Sequence, residues 1–363
     1  MLLEFEARPA ASATMRYLSP LAAVALTLFA SLFLFAALGK EPFGAFKVFF
    51  LNPLRDTYAL TELLLKATPL MLIGVGLAVG YRANVWNIGA EGQFVMGAVA
   101  ATGVALYAGD GGAWTWVPML LAGALGGGLW AAVPALLRTR WRANEILVTL
   151  MMVYIAQFVA SWLVHGPWKN PEGFNFPQTR MFGDGALLPV LVEGTRLNAA
   201  FLVALGTLAV GYVFLERSFW GYQMQVAGEA DAAARYAGYS ARRAVWVGML
   251  AGGGLAGVAG VAEVAGPMGQ LTESISSGYG FAAIIVAFVG RLHPVGICLA
   301  SLLMALLFLG GEQAQQFINL PASISKVFQG MLLFFLLGAD LFIGYRLRLD
   351  RNASLGKLPW KTT

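Results

Sequence analysis

Charged residues are scarce in this sequence: Asp, Glu, Lys and Arg make up 12% of 363 positions, about half the usual share of a soluble domain. So few charges cannot clothe a water-facing surface of that size, which excludes the ordinary soluble enzyme. Cysteine occurs once, as Cys298 inside an apolar run, so neither an internal disulfide nor a thiolate metal cluster is available. His165 and His293 lie far apart at the ends of apolar runs, which argues against a histidine metal site and against a Ser-His-acid group. No G-x-x-x-x-G-K-[ST] loop occurs, so the chain lacks that cradle for nucleotide phosphates. The formal net charge of +5 is explained by charged loops between membrane spans rather than by a nucleic-acid partner.

In place of charge the chain has 58% hydrophobic residues, 44 glycines and a mean hydropathy of +0.69. Apolar runs of eighteen or more residues recur, each long enough to cross a hydrocarbon layer of roughly 30 Å as a helix. Helices satisfy their own backbone groups where no water is present, so the expected fold is an all-α polytopic membrane protein. About ten transmembrane helices are predicted, near 18–39, 59–80, 88–108, 114–137, 145–165, 198–215, 244–264, 279–290, 294–310 and 323–343. The first run is too long for a signal peptide and lacks a small-residue cleavage site, so it reads as a retained helix. With the N-terminus inside, 16 of the 24 Lys and Arg residues fall in cytoplasmic segments, a two-to-one bias of the expected sign.

This divides the chain into a cytoplasmic tail at 1–17, a membrane domain at 18–343, and a cytoplasmic tail at 344–363 that holds Arg351, Lys357 and Lys361. A Pro- and Gly-rich extracytoplasmic loop is expected at 166–197. A cytoplasmic segment at 216–243 contains an Ala-rich stretch, Glu229 to Tyr236, of high helix propensity, closed by Gly238. Spans 2–5 and 7–10 are offset by five, an odd number, so a repeat of one set by the other would be inverted across the membrane. Each set holds a Gly-rich helix and an interrupted polar segment, NVWNIGAEGQF at 84–94 and EVAGPMGQLTESISSGYGF at 263–281, which read as broken or re-entrant.

An ionisable group at membrane depth costs roughly 2.5 to 3.5 kcal/mol, so each asks for a reason. Glu91 is the most suggestive: Asn87, Gln93 and two glycines surround it, as in a loosened helix lining a watery cavity. The alternative is that Glu91 and Gln93 only fix helix-end geometry at the interface. Glu145, next to Asn144 and close to Arg138, Arg140 and Arg142, reads as a helix-start acid paired with an arginine. Glu273, Ser274, Ser276 and Ser277 form a second polar island, either cavity lining or plain loop. Glu263 is a further acid at depth, with Lys66, Lys326 and Asp340 nearer span ends. Trp86, Trp114, Trp116, Trp162 and Trp168 suit aromatic belts, and Gly252–Gly254 and Gly257–Gly260 suit close helix packing.

The segments ANVWNIGAEGQF (83–94), NEILVTLMMVYIA (144–156), GEADAAARYAGYS (228–240) and GYGFAAIIVAFVGRLHPVGI (278–297) carry a resemblance. Over about 20–343 the chain resembles permease subunits of bacterial ABC importers for simple sugars, nucleosides and branched-chain amino acids, most closely the nucleoside-type branch. The resemblance implies that Gly228, Glu229, Ala232, Ala233, Ala234, Arg235, Tyr236, Ala237 and Gly238 match a coupling helix that docks on an ATPase; family members often have Asn where Ala230 or Asp231 stands here. It also implies that Asn87, Glu91 and Gln93 lie near the translocation path, to which the second polar island adds Glu273 and Ser274.

The expected function is therefore nucleoside import by alternating access, with a simple sugar such as ribose as the second substrate. The chain itself would be non-catalytic and bind no cofactor or metal, ATP being used by a separate ATP-binding cassette subunit. Other expected partners are a second permease, as a heterodimer or homodimer, an extracytoplasmic substrate-binding protein, and the lipid of a bacterial inner membrane. An ion-coupled secondary transporter using Glu91, Glu145 or Glu263 is the alternative of another class; an intramembrane enzyme is disfavoured because no catalytic constellation is present.

Overall fold

The computed structural model describes residues 2–8, 12–109, 112–321 and 323–350. The predicted tail residues Arg351, Lys357 and Lys361 lie outside the described residues. The chain runs β1 Leu2–Ala7, α1 Ala13–Ala37, α2 Pro42–Phe46, α3 Thr57–Arg82, α4 Ala90–Ala108, α5 Trp116–Trp141 and α6 Glu145–His165. It continues with α7 Ala200–Tyr212, α8 Phe219–Glu229, α9 Asp231–Tyr236, α10 Ala241–Glu263, α11 Tyr279–Val289, α12 Pro294–Ile318, α13 Ile324–Gly344 and β2 Tyr345–Asp350. Eight of these helices are long and apolar enough to cross a membrane. The protein is an all-α, multi-pass membrane protein.

The two remaining predicted spans are α4 and α11. At 1.5 Å per residue the 11 residues of α11 rise about 16 Å, half of a bilayer core, so the expectation of a full crossing at 279–290 is corrected. In the other direction α12 continues to Ile318, about two turns beyond the predicted end at 310, because its last turns stay regular through Glu312 and three glutamines.

The chain forms two compact units, residues 1–48 with 314–363 and residues 49–313. In the first, α1 lies along α13, with Phe35 on Phe328 (5.6 Å between ring centroids) and the Ser19 hydroxyl donating to Asp340 at 2.7 Å. β1 pairs antiparallel with β2, Glu6 opposite Arg346, and their side chains meet at 2.9 Å. Two paired strands lie on one side of a membrane, which requires an even number of crossings between them. The sequence reading leaves both stretches as tails; the pairing joins segments more than 330 residues apart, which no local signal announces.

The second unit is built around α10, which packs on α3, α4 and α5, while α3 also packs on α11 and α7. α3 is buried almost throughout, which explains why it lacks a polar face. Glycines make the closest contacts: a side chain on Gly257 would enter the backbone of Gly123 and Gly127 on α5, and one on Gly97 would enter Gly257. The glycine runs therefore serve helix packing, as expected, since helices in lipid associate by backbone approach rather than by hydrophobic exclusion.

Candidate functional site

α3 ends in a left-handed residue, Asn84 (φ 54°), with Val85 N–H bonded back to the Gly80 carbonyl at 3.0 Å. Residues 85–89 then run without helix to the start of α4. This break closes on itself through amides: Asn87 Nδ2 donates to Gln93 Oε1 at 2.8 Å, and Gln93 Nε2 donates to Asn87 Oδ1 at 3.1 Å. Asn87 Oδ1 also accepts the Gly89 N–H at 3.0 Å, and the Tyr81 hydroxyl donates to the Asn87 carbonyl at 3.1 Å. Asn87 and Gln93 are both buried. Gly89 and Gly92 do not loosen α4, as the sequence suggests; they let it meet the backbone of α6, where any side chain would strike Thr149 and Val153. Trp86, read as a belt residue, instead stacks on Phe288 at 5.8 Å and packs at a tilt against Tyr81 at 5.3 Å.

α10 ends at Glu263, and the chain passes through a wide turn at Val264–Met268 and an irregular stretch to Gly278 before α11 begins. The predicted 166–197 loop covers this stretch. Leu188 N–H bonds the Ala265 carbonyl at 2.7 Å, Phe182 N–H the Gly269 carbonyl at 2.8 Å, and Thr179 N–H the Leu271 carbonyl at 3.0 Å. The Thr179 hydroxyl accepts the Leu271 N–H at 3.0 Å, so the backbone of the broken segment is satisfied by a neighbour in place of its own helix.

The two breaks meet at Glu91. Its carboxylate, 1% exposed, accepts the Gly278 N–H at 2.9 Å, the Gly280 N–H and the Ser276 hydroxyl. The start of α4 thus supplies an anion to the start of α11, where unpaired N–H groups and the helix dipole favour one. Gly280 is required by this approach, because a Cβ there would meet the Glu91 backbone. Around the contact a cavity of about 280 Å³ is lined by Gln157 and Ser161 of α6 with Glu273 and Ser276. The Ser161 hydroxyl donates to Glu273 at 3.1 Å, and His165 Nε2 stands 4.0 Å from Glu273. Of the expected path residues, Glu273 lines this cavity and Glu91 reaches it through Ser276. Asn87 and Gln93 sit in their own closed pair, and Ser274 is exposed outside the lining. Gln157 and Ser161 went unread in the sequence, and His165 was weighed only as a metal or catalytic histidine; their spacing of four places polar groups on one face of an apolar helix, which is the available signal.

Glu145, Glu62 and Glu263 each have cationic neighbours. Glu145 pairs with Arg138 at 2.5 Å, and Asn144 caps α6 by accepting the Ile146 N–H at 3.0 Å, as the sequence predicts. Glu62 takes a two-pronged bond from Arg196, holding that guanidinium above its ordinary pKa. Lys66 bonds Glu312 at 2.7 Å, and Glu263 lies within electrostatic reach of Lys66 and Arg196.

The 216–243 segment holds two helices rather than one. α8 ends at Glu229, Ala230 breaks the chain (φ −150°, ψ 83°), and α9 starts at Asp231, two residues later than the Ala-rich stretch suggests. Gly238 (φ 79°) closes α9: its N–H bonds the Arg235 carbonyl at 3.0 Å, and Tyr239 N–H bonds that of Ala234 at 2.9 Å. Ala234 is buried, whereas Ala232, Ala233, Arg235 and Tyr236 are exposed, Tyr236 at 97%. Gly228 rests on the Arg82 carbonyl with no room for a side chain. The Arg82 guanidinium binds the Leu215 carbonyl at 2.9 Å, the Leu292 carbonyl at 3.0 Å, and the Glu216 carboxylate. Arg82 therefore ties the end of α3, the entry to α8 and the turn after α11 together, a role invisible from its place in the sequence.

Residues 59–337 match the family model described as "Branched-chain amino acid transport system / permease component". The chain is 34% identical over 354 residues to a glucose ABC transporter permease of Haloferax volcanii, covering 95% of this chain and 93% of that one. It is 28% identical to a guanosine ABC transporter permease of Bacillus subtilis (88% and 92% covered) and 27% identical to a nucleoside ABC transporter permease of Lactococcus lactis (89% and 91%). In each of these organisms a second permease of similar description also matches, at 26–28% identity over 66–78% of this chain. No solved structure matches.

Proposed function

The chain belongs to the branched-chain amino acid transport system permease family, and on that premise we propose that it forms half of the path by which an ATP-driven importer takes up nucleosides. It is a non-catalytic, multi-pass permease subunit of an ABC transporter. The observation that carries the mechanism is the line of contacts from α9 inward. α9 is exposed and anchored by Ala234; Gly228 bears on the end of α3; Arg82 there grips the turn that follows α11. α3 and α11 each adjoin one of the two breaks that Glu91 bridges. A push on α9 by an ATPase would thus reach both breaks through packed backbone, moving the small cavity between an open and a closed state.

The chain binds no cofactor in this reading; ATP is consumed by a partner subunit that meets Ala232, Ala233, Arg235 and Tyr236. The occurrence of two such permeases in each of three organisms supports a heteromeric pair. A substrate-binding protein delivers the solute on the face of the 166–197 loop, and the termini face the cytoplasm of a bacterial inner membrane. Of the path residues, Glu273 and Ser274 belong to the edge that rearranges as the path opens, Asn87 and Gln93 to the fixed edge opposite, and Glu91 joins the two.

Guanosine and nucleosides are what two relatives are named for, and glucose what another is named for, so a simple sugar is the second reading. Both are neutral and polyhydroxylated, which suits a cavity lined by the Gln157 amide, the Ser161 and Ser276 hydroxyls and the Glu273 carboxylate. The ion-coupled alternative loses support because Glu145 is neutralised by Arg138 and Glu91 is enclosed by three donors. The deciding experiment is uptake of labelled adenosine by cells lacking and regaining the gene, with guanosine, uridine, ribose and glucose as competitors and an ATP-depletion control. Competition by nucleosides alone supports the first reading; lost sugar uptake with unchanged adenosine uptake selects the second. Uptake that survives ATP depletion but not loss of membrane potential sinks both.

A further inference from the structure

Beside α9 lies a cavity of about 550 Å³ whose lining includes four arginines: Arg138 and Arg142 from the end of α5, Arg235 from α9 and Arg242 from the start of α10. Its other polar lining among the described residues is Asn84 and Thr139. Glu145, on the rim, pairs with Arg138. Two lining residues hold a left-handed backbone that glycine adopts more easily, Asn84 and Arg142, both at φ 54°. A glycine would close α5 equally well, so the arginine at 142 brings to that turn something besides geometry: a guanidinium beside the cavity.

We propose that this cavity is a binding site for a phosphate-bearing anion, a phosphomonoester or phosphodiester group held by Arg142 and Arg242, with Arg138 and Arg235 supplying further positive field. Guanidinium forks match phosphate oxygens with paired, charge-assisted hydrogen bonds. The volume suits a small polar head rather than a protein segment of any length. The site sits where α5 ends and α10 begins, at the level where long apolar helices leave the hydrocarbon, so both a lipid headgroup and a soluble phosphate ester have access. Because α9 contributes Arg235, an occupied site would brace α9 against α5 and α10 and so alter how readily α9 moves. The inference depends on neither the transported solute nor the identity of the motor.

The test uses the full chain in phosphatidylcholine nanodiscs. One arm adds phosphatidylglycerol and counts retained lipid by native mass spectrometry; the other titrates inorganic phosphate against chloride at matched ionic strength and reads the thermal midpoint. Each arm compares wild type, the double variant R142Q/R242Q, and R140Q, whose arginine lies on α5 outside the lining. Wild type and R140Q should respond in at least one arm, and the double variant should bind roughly tenfold more weakly or worse. A response to phosphatidylglycerol alone assigns a lipid headgroup, and to phosphate alone a soluble ester. Equal binding by the double variant and wild type, or no preference of wild type for either phosphate source, overturns the proposal. Should the double variant fail to fold, the two wild-type arms and the single variants R142K and R242K still decide, since a lysine keeps the charge but loses the fork and should weaken binding in the responding arm.

Discussion

The two breaks in this fold solve one problem in different ways. Between α3 and α4 the break is short and satisfies its polar groups locally, Asn87 and Gln93 exchanging two hydrogen bonds across six residues. Between α10 and α11 it is longer and leans on a distant partner, the 166–197 loop, for its backbone bonds. The first is therefore rigid by its own sequence; the second keeps its shape only while the loop stays in place. A transporter that alternates between states needs one fixed edge and one that can be released, and Glu91 joins the two.

The comparison breaks most severely at the junction. Glu91→Ala leaves the donors of Gly278, Gly280 and Ser276 unpaired, and should cost about 3–5 kcal/mol of stability in thermal or denaturant unfolding, with loss of uptake. Unchanged stability would mean that the breaks are not joined there. Gly280→Ala forces a methyl into the Glu91 backbone and should cost about 1–3 kcal/mol, measured in the same way. Asn87→Ala should cost about 1–2 kcal/mol, and Gln93→Ala a similar amount. The double variant should fall short of their sum, because one closed pair is lost once; additivity would show that the amides act separately.

Smaller effects sharpen the contrast. Thr179→Val removes the hydroxyl that accepts the Leu271 N–H and should cost about 1 kcal/mol. Its distinctive readout is faster amide exchange over 265–278 with 83–93 unaffected, since only the second break depends on the loop. Smallest of all on stability is Tyr236→Ala, within about 0.5 kcal/mol at an exposed position. It should nonetheless lower ATP-driven uptake in cells with expression unchanged; full uptake would remove Tyr236 from the docking surface.

The long helices were legible because each writes its own signature: an unbroken apolar run must be helical in lipid, and Asn144, Gly238 and the α10 glycines announce caps and contacts locally. The same logic failed where the run length was right but the path was not. α11 reads as a span from its apolar residues, yet its start is fixed by Glu91, nearly two hundred positions earlier. The glycines flanking Glu91 look like looseness in one dimension and are packing surfaces in three. Arg82 and Ser161 carry no motif at all, since their meaning lies in the carbonyls and carboxylates that other segments bring to them.

By itself, then, the sequence determined that this protein lives in a membrane, that it is built of apolar helices, and where the chain is interrupted, because hydration cost and helix periodicity act on neighbouring residues. Tertiary structure decided which interruptions meet, that β1 and β2 pair, and which polar groups enclose a cavity rather than each other. Those outcomes depend on hydrogen bonds between segments far apart in the chain, where a buried donor must find an acceptor and any element able to reach it will serve.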